Sequence, residues 1–163
     1  MEETTVEIGK AVLSGGMKLP VADGGICAGF PSPAQDYVES GIDLNRELVK
    51  NPAATFFGRV KGDSMTGAGI EDGDLIVIDK SLEASEGDIA VCFLDGEFTL
   101  KRIHIEKAGE RFGERDRVED EVLWLVPENP KYKKIKVTAN QHFMVWGVVT
   151  YSIKDIRKNN SQR

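Results

Sequence analysis

From residue 55 onward, apolar residues fall in short runs that alternate or stay continuous over three to eleven positions. These runs are 55–61 (TFFGRVK), 75–79 (LIVID), 88–94 (DIAVCFL), 97–105 (EFTLKRIHI), 122–126 (VLWLV), 135–137 and 143–153 (FMVWGVVTYSI). Each is rich in β-branched or aromatic side chains and bounded by turn formers, the pattern of β-strands. Asp95–Gly96 separates two such runs and predicts a tight hairpin; Asp72–Gly73 marks a second turn. Only 43–50 (DLNRELVK) carries a helical period, with Leu44 and Leu48 four apart and Asn51–Pro52 behind them. It predicts an amphipathic helix of about two turns. The expected body is mainly β, a curved, barrel-like sheet with one short helix.

The first 28 residues differ. Gly9, Gly15, Gly16, Gly24 and Gly25 interrupt scattered apolar residues, which reads as a flexible or loosely docked N-terminal arm. Phe30–Pro31–Ser32–Pro33 follows, and its two prolines impose an extended path and remove two backbone donors. Residues 106–121 (EKAGERFGERDRVEDE) are almost wholly charged and read as a solvated hairpin extension or loop.

A chain of 163 residues can bury a core without staples, and 40% hydrophobic with 29% charged residues fits a soluble globular domain. The net charge of −6 argues against direct nucleic-acid binding, which relies on Lys and Arg displacing counterions. Two cysteines make no disulfide framework and suit a reducing, cytoplasmic setting. No apolar run reaches the roughly 18 residues of a membrane span, and the acidic start MEETTVEIGK has no apolar signal core. Two Cys and two His far apart show no metal-ligand spacing, so neither metal nor cofactor is expected.

Two positions carry candidate chemistry. Gly62–Asp63–Ser64–Met65 follows a strand-like run, where a tight turn can expose a hydroxyl and aim backbone N–H groups at an oxyanion. Lys101 lies in the run after the hairpin, with Thr99, Ile103 and Ile105 on its face and Phe98 and Leu100 on the other. A lysine desolvated there would favour the neutral amine and could accept a proton from serine. Arg102 falls on the opposite face and serves as the expected control, a position where substitution to alanine leaves processing intact. His104 and His142 lack a partner pattern for a triad. Cys27 reads as the occupant of a substrate subsite, and Cys92, within an apolar strand, as core.

Three segments in order resemble the LexA/UmuD family of self-cleaving serine peptidases. Residues 27–37 (CAGFPSPAQDY) look like its cleavage region. Gly62–Asp63–Ser64–Met65 with Gly69–Ile70 and Asp72–Gly73–Asp74 is similar to its nucleophile segment. Gly87–Asp88–Ile89 with 95–102 (DGEFTLKR) is similar to its lysine segment. The resemblance implies Ser64 as nucleophile, Lys101 as general base, and the backbone N–H groups of Asp63 and Ser64 as oxyanion donors. It implies Ala28–Gly29 as the bond cut, with Cys27–Ala28 as the alternative register. Arm 1–28 would be removed, leaving peptidase domain 29–163. It further implies a homodimer, a UmuC-type Y-family polymerase as partner, and a RecA-type filament on single-stranded DNA as co-stimulator, in the setting of the SOS response.

Rival readings separate on simple features. A LexA-type repressor needs a helix-turn-helix domain that 28 glycine-rich residues cannot hold. A signal peptidase needs a membrane anchor. A catalytically silent polymerase-accessory or LexA-like regulatory domain would have little use for both Ser64 and Lys101.

Overall fold

The computed structural model describes residues 5–11, 18–21, 40–107 and 121–157. In chain order these form β1 (Thr5–Lys10), β2 (Lys18–Val21), β3 (Ser40–Asp43), α1 (Leu44–Leu48), β4 (Thr55–Lys61), a 3-10 turn (Thr66–Ala68) and β5 (Leu75–Asp79). Then follow β6 (Ile89–Leu94), β7 (Glu97–Glu106), β8 (Val122–Val126), β9 (Ile135–Lys136) and β10 (Phe143–Ile153). Eight strands form one sheet in the order β1-β4-β5-β10-β6-β7-β8-β9, and β2 pairs with β3 separately. Every pairing is antiparallel. The sheet curls until β1 at one edge comes near β7. Two register shifts in β10, between Val145 and Gly147 and between Val149 and Tyr151, supply local bends. Gly147 belongs there because a Cβ would press on Ile78.

The predicted strands of the body all form. Asp95 (φ 48°) and Gly96 (φ 101°) make the two-residue turn between β6 and β7, which puts Leu94 opposite Glu97. β6 and β7 are buried on both faces along their middle residues, successive side chains pointing to opposite sides. Val91 and Leu100 join one apolar cluster with Val60, Met65, Ile76 and Ile78, while Ala90, Cys92 and Ile103 join another with Leu125.

Two expectations change. The helix is shorter than two turns: Asp43 caps it through a 3.0 Å bond from Asn45 N–H, and Val49 is already extended. Its Leu44 is 45% exposed, and the buried anchor is Val49, just beyond the helix. Asn51–Pro52 biases the chain away from helix too early for an apolar stripe to develop. Part of the glycine-rich arm is strand. Thr5 to Lys10 pair with Lys61 to Phe56 along the sheet edge, with Val6 buried over Gly58. The alternation of Val6 and Ile8 is too short to announce a strand alone; the β4 edge supplies the missing hydrogen bonds. The bond Ala28–Gly29, Cys27, the Phe30–Pro33 stretch and most of the charged 106–121 segment lie outside the described residues.

Candidate active site

Ser64 follows β4 by way of Gly62, whose φ of 94° turns the chain where a side chain would be strained. The Asp72 carboxylate accepts from Gly62 N–H at 2.8 Å and holds that turn. Beyond Ser64, Met65 is buried in the apolar cluster and the 3-10 turn closes on Gly69 at φ 75°. The serine is therefore pinned between a glycine turn and a core anchor.

Lys101 comes from β7, opposite Ala90 of β6. It is 1% exposed and Ser64 is 0% exposed. Lys101 Nζ lies 3.3 Å from Ser64 Oγ, 2.8 Å from Thr99 Oγ1 and 3.2 Å from the Leu100 carbonyl oxygen. The two residues singled out from separate segments are thus neighbours across 37 positions of sequence. An amine buried in this way can relay a proton, because burial favours its neutral form and the hydroxyl is within reach. An open cleft of about 640 Å³, lined by Thr5, Lys61, Leu94, Glu97, Phe98, Thr99 and Ile135, meets this pair through Thr99, whose hydroxyl holds Lys101 Nζ.

The Asp63 carboxylate is held by the segment that follows β8. Tyr132 donates its hydroxyl to it, and Lys131 Nζ stands 3.8 Å away. The tyrosine bond first, and the lysine charge after it, hold this carboxyl below the usual carboxylate range. Asn129 Nδ2 donates to the Asp63 carbonyl at 2.8 Å. Glu128 N–H donates to the Ser64 carbonyl at 2.9 Å, and Gly67 N–H donates to the Glu128 carbonyl at 2.6 Å. Thr99, Glu128, Asn129 and Tyr132 had no assigned role in the sequence reading. The only local signal was Pro127–Glu128–Asn129–Pro130, which reads as a stiff connection and names no target.

Arg102 is on the opposite face from Lys101, as alternation requires, yet it is not isolated. It pairs with the Glu128 side chain and donates to the Gly87 carbonyl at 2.6 Å. His104 Nδ1 pairs with Glu86 at 2.8 Å on the surface. The His142 main chain closes the hairpin against Asp95. Cys92 is buried, and burial pushes its thiol up to about 12, so it stays protonated and inert near neutrality. Among the described residues no group of three or more His, Cys, Asp or Glu could hold a metal ion, and no helix is long and apolar enough to cross a membrane.

Residues 20–150 match the family described as Peptidase S24-like. Protein SamA of Salmonella typhimurium is 39% identical over 133 residues, covering 82% of this chain and 83% of that protein. Protein MucA of Escherichia coli is 40% identical over 129 residues, 78% of this chain and 79% of that one. LexA repressor 1 of Geobacter sulfurreducens is 40% identical over 125 residues, 77% of this chain and 54% of the repressor.

Proposed function

The chain belongs to the Peptidase S24-like family, and from that premise we propose that it is a serine endopeptidase that cuts itself, with Ser64 as nucleophile and Lys101 as general base. The observation that carries this reading is the 3.3 Å approach of a buried lysine amine to a buried serine hydroxyl. Neutral Lys101 takes the Ser64 proton as Oγ attacks the carbonyl carbon of Ala28. The oxyanion is held by backbone N–H groups of Asp63 and Ser64. The new ammonium of Lys101 returns its proton to the Gly29 nitrogen as the Ala28–Gly29 bond breaks. Water then hydrolyses the acyl ester on Ser64, giving fragments 1–28 and 29–163. The cleft along Thr99 and Phe98 suits an extended segment such as the one Pro31 and Pro33 impose.

In the same reading the shortened chain works as a homodimer with a UmuC-type Y-family polymerase in the SOS response to DNA damage, in the cytoplasm. A RecA-type filament on single-stranded DNA stimulates the cut. What supports these partners is family likeness, through relatives such as SamA and MucA.

Intact-mass spectrometry of the full chain, incubated from neutral to alkaline pH beside Ser64→Ala, tests the chemistry. The expected result is a fragment beginning at Gly29 that forms faster as pH rises, because the base must be neutral, and is absent in the variant. Cutting that persists in a protease-free preparation of Ser64→Ala would defeat the mechanism. Silence at every pH, with and without a RecA-type filament, would favour a regulatory interaction domain that does not cut.

A further inference from the structure

The connection between β8 and β9 grips the nucleophile turn at four points, more than packing of a loop requires. Glu128 uses only its main chain there: its N–H binds the Ser64 carbonyl at 2.9 Å and its carbonyl accepts from Gly67 N–H at 2.6 Å. Gly67 has no side chain because a Cβ would run into that same Glu128 carbonyl. Asn129 is buried, and its amide donates to the Asp63 carbonyl at 2.8 Å and reaches the Asp63 carboxylate at 3.4 Å. Its own carbonyl oxygen accepts from Lys131 N–H at 3.0 Å, which settles which end of the amide faces Asp63. Tyr132 N–H returns to the Asn129 carbonyl at 3.0 Å, and the Tyr132 hydroxyl reaches the Asp63 carboxylate. Pro127 and Pro130 bracket the pair Glu128–Asn129 and restrict its backbone.

The consequence lies in peptide geometry. A trans peptide sets its carbonyl and its N–H in opposite directions, and no cis bond occurs among the described residues. Holding the Asp63 carbonyl therefore aims the Ser64 N–H, and holding the Ser64 carbonyl aims the Met65 N–H. From this juxtaposition, and resting on the Ser64–Lys101 reading above, we propose that residues 128–132 are a positioning clamp for the nucleophile turn. In it Asn129 and Tyr132 are positioning residues that orient the amide plane serving the oxyanion. They act through Asp63, whose carbonyl and carboxylate they hold. Arg102 ties the clamp to the strand that carries Lys101, since its guanidinium holds the Glu128 side chain. Base and nucleophile are thereby kept in mutual register through Glu128.

The test is the pH profile of self-cleavage of the full chain, followed by intact mass, for Asn129→Ala and Tyr132→Phe beside wild type and Ser64→Ala. Thermal midpoints are measured in parallel. Misaimed oxyanion donors lower the rate at every pH, so the alkaline plateau should fall about tenfold to a hundredfold in Asn129→Ala. Tyr132→Phe, which keeps the ring, should fall by a smaller factor. The pH midpoint of the rise should stay where it is, because Lys101 is untouched. Wild-type plateaus in the two variants would overturn the clamp, as would a displaced midpoint or a loss of rate matched by the unfolded fraction. Should Asn129→Ala fail to fold, Tyr132→Phe alone decides. Cleavage in Ser64→Ala would instead strike the catalytic reading, so the two failures are distinct.

Discussion

At the scale of the residue, Lys101 is the least comfortable side chain in the core. Among the described residues it is the largest fully buried side chain, in a strand where Leu100 and Ile103 are apolar. Withdrawing an amine from water is costly unless its hydrogen bonds are replaced. Function-bearing residues of this sort commonly reduce stability. Lys101→Met should therefore raise the thermal midpoint, by roughly 2–4 °C, while abolishing processing. Lys101→Arg should also abolish it at every pH, because a guanidinium does not give up its proton in this range. Circular dichroism melts set beside mass spectra check both; a variant that cuts without Lys101 would remove the base assignment. Arg102 makes an imperfect control for such experiments because it holds Glu128. Lys50, an exposed lysine paired only with its helical neighbour Glu47 at 3.7 Å among the ion pairs described, is a cleaner one.

Elements rather than single groups decide how the turn after β4 behaves. β4 enters it, the 3-10 turn leaves it, and the segment after β8 lies across it. Gly67 is the closest approach of the last two, with its N–H on the Glu128 carbonyl. Gly67→Ala places a methyl against backbone, which cannot swing aside as a flexible side chain would. The expected cost is about 1–3 kcal/mol of stability, together with a slower cut. Gly69→Ala makes the contrast: nothing stands near its Cβ, and the cost comes from its φ of 75° alone. Chemical denaturation of both variants measures this. If Gly67→Ala were as stable and as fast as wild type, the strap of residue 128 over the turn would have no mechanical importance.

Over the whole molecule, the chain on the N-terminal side of the proposed cut is held in two places. β1 is paired along β4, and β2 is paired with β3 on the far side of residues 28 and 29. Breaking one peptide bond removes neither set of hydrogen bonds nor the burial of Val6. Scission and release should then be separate events. After cutting, fragment 1–28 should co-elute with 29–163 under native conditions and leave only in denaturant. Val6→Asp, which puts a charge where Val6 meets Gly58, Ile76 and Ile78, should let it go at once. Size-exclusion chromatography with mass detection reads the difference; immediate loss from the unsubstituted protein would mean that the strands contribute no lasting hold. Release would also uncover the β4 edge and remove Thr5 from the cleft that Thr99 shares.

Much of this was local information. Alternation along 97–105 determined that Thr99, Lys101 and Ile103 share a face, and Asp95–Gly96 determined the turn that sets their register, because side-chain period and φ > 0 preferences act over a few residues. The motifs around Ser64 and Lys101 likewise named a pair without structure. Their distance, their burial and the environment that would make the amine a base came only from the curl of the sheet. The strand at Thr5–Lys10 was illegible because its stability lies in the edge of β4, 50 residues on, rather than in its own composition. The grip of Glu128, Asn129 and Tyr132 was hidden for a related reason. Two of its bonds are made by the Glu128 backbone, which every residue carries, and its partners lie some 60 positions away in a turn that only the folded chain brings beneath them.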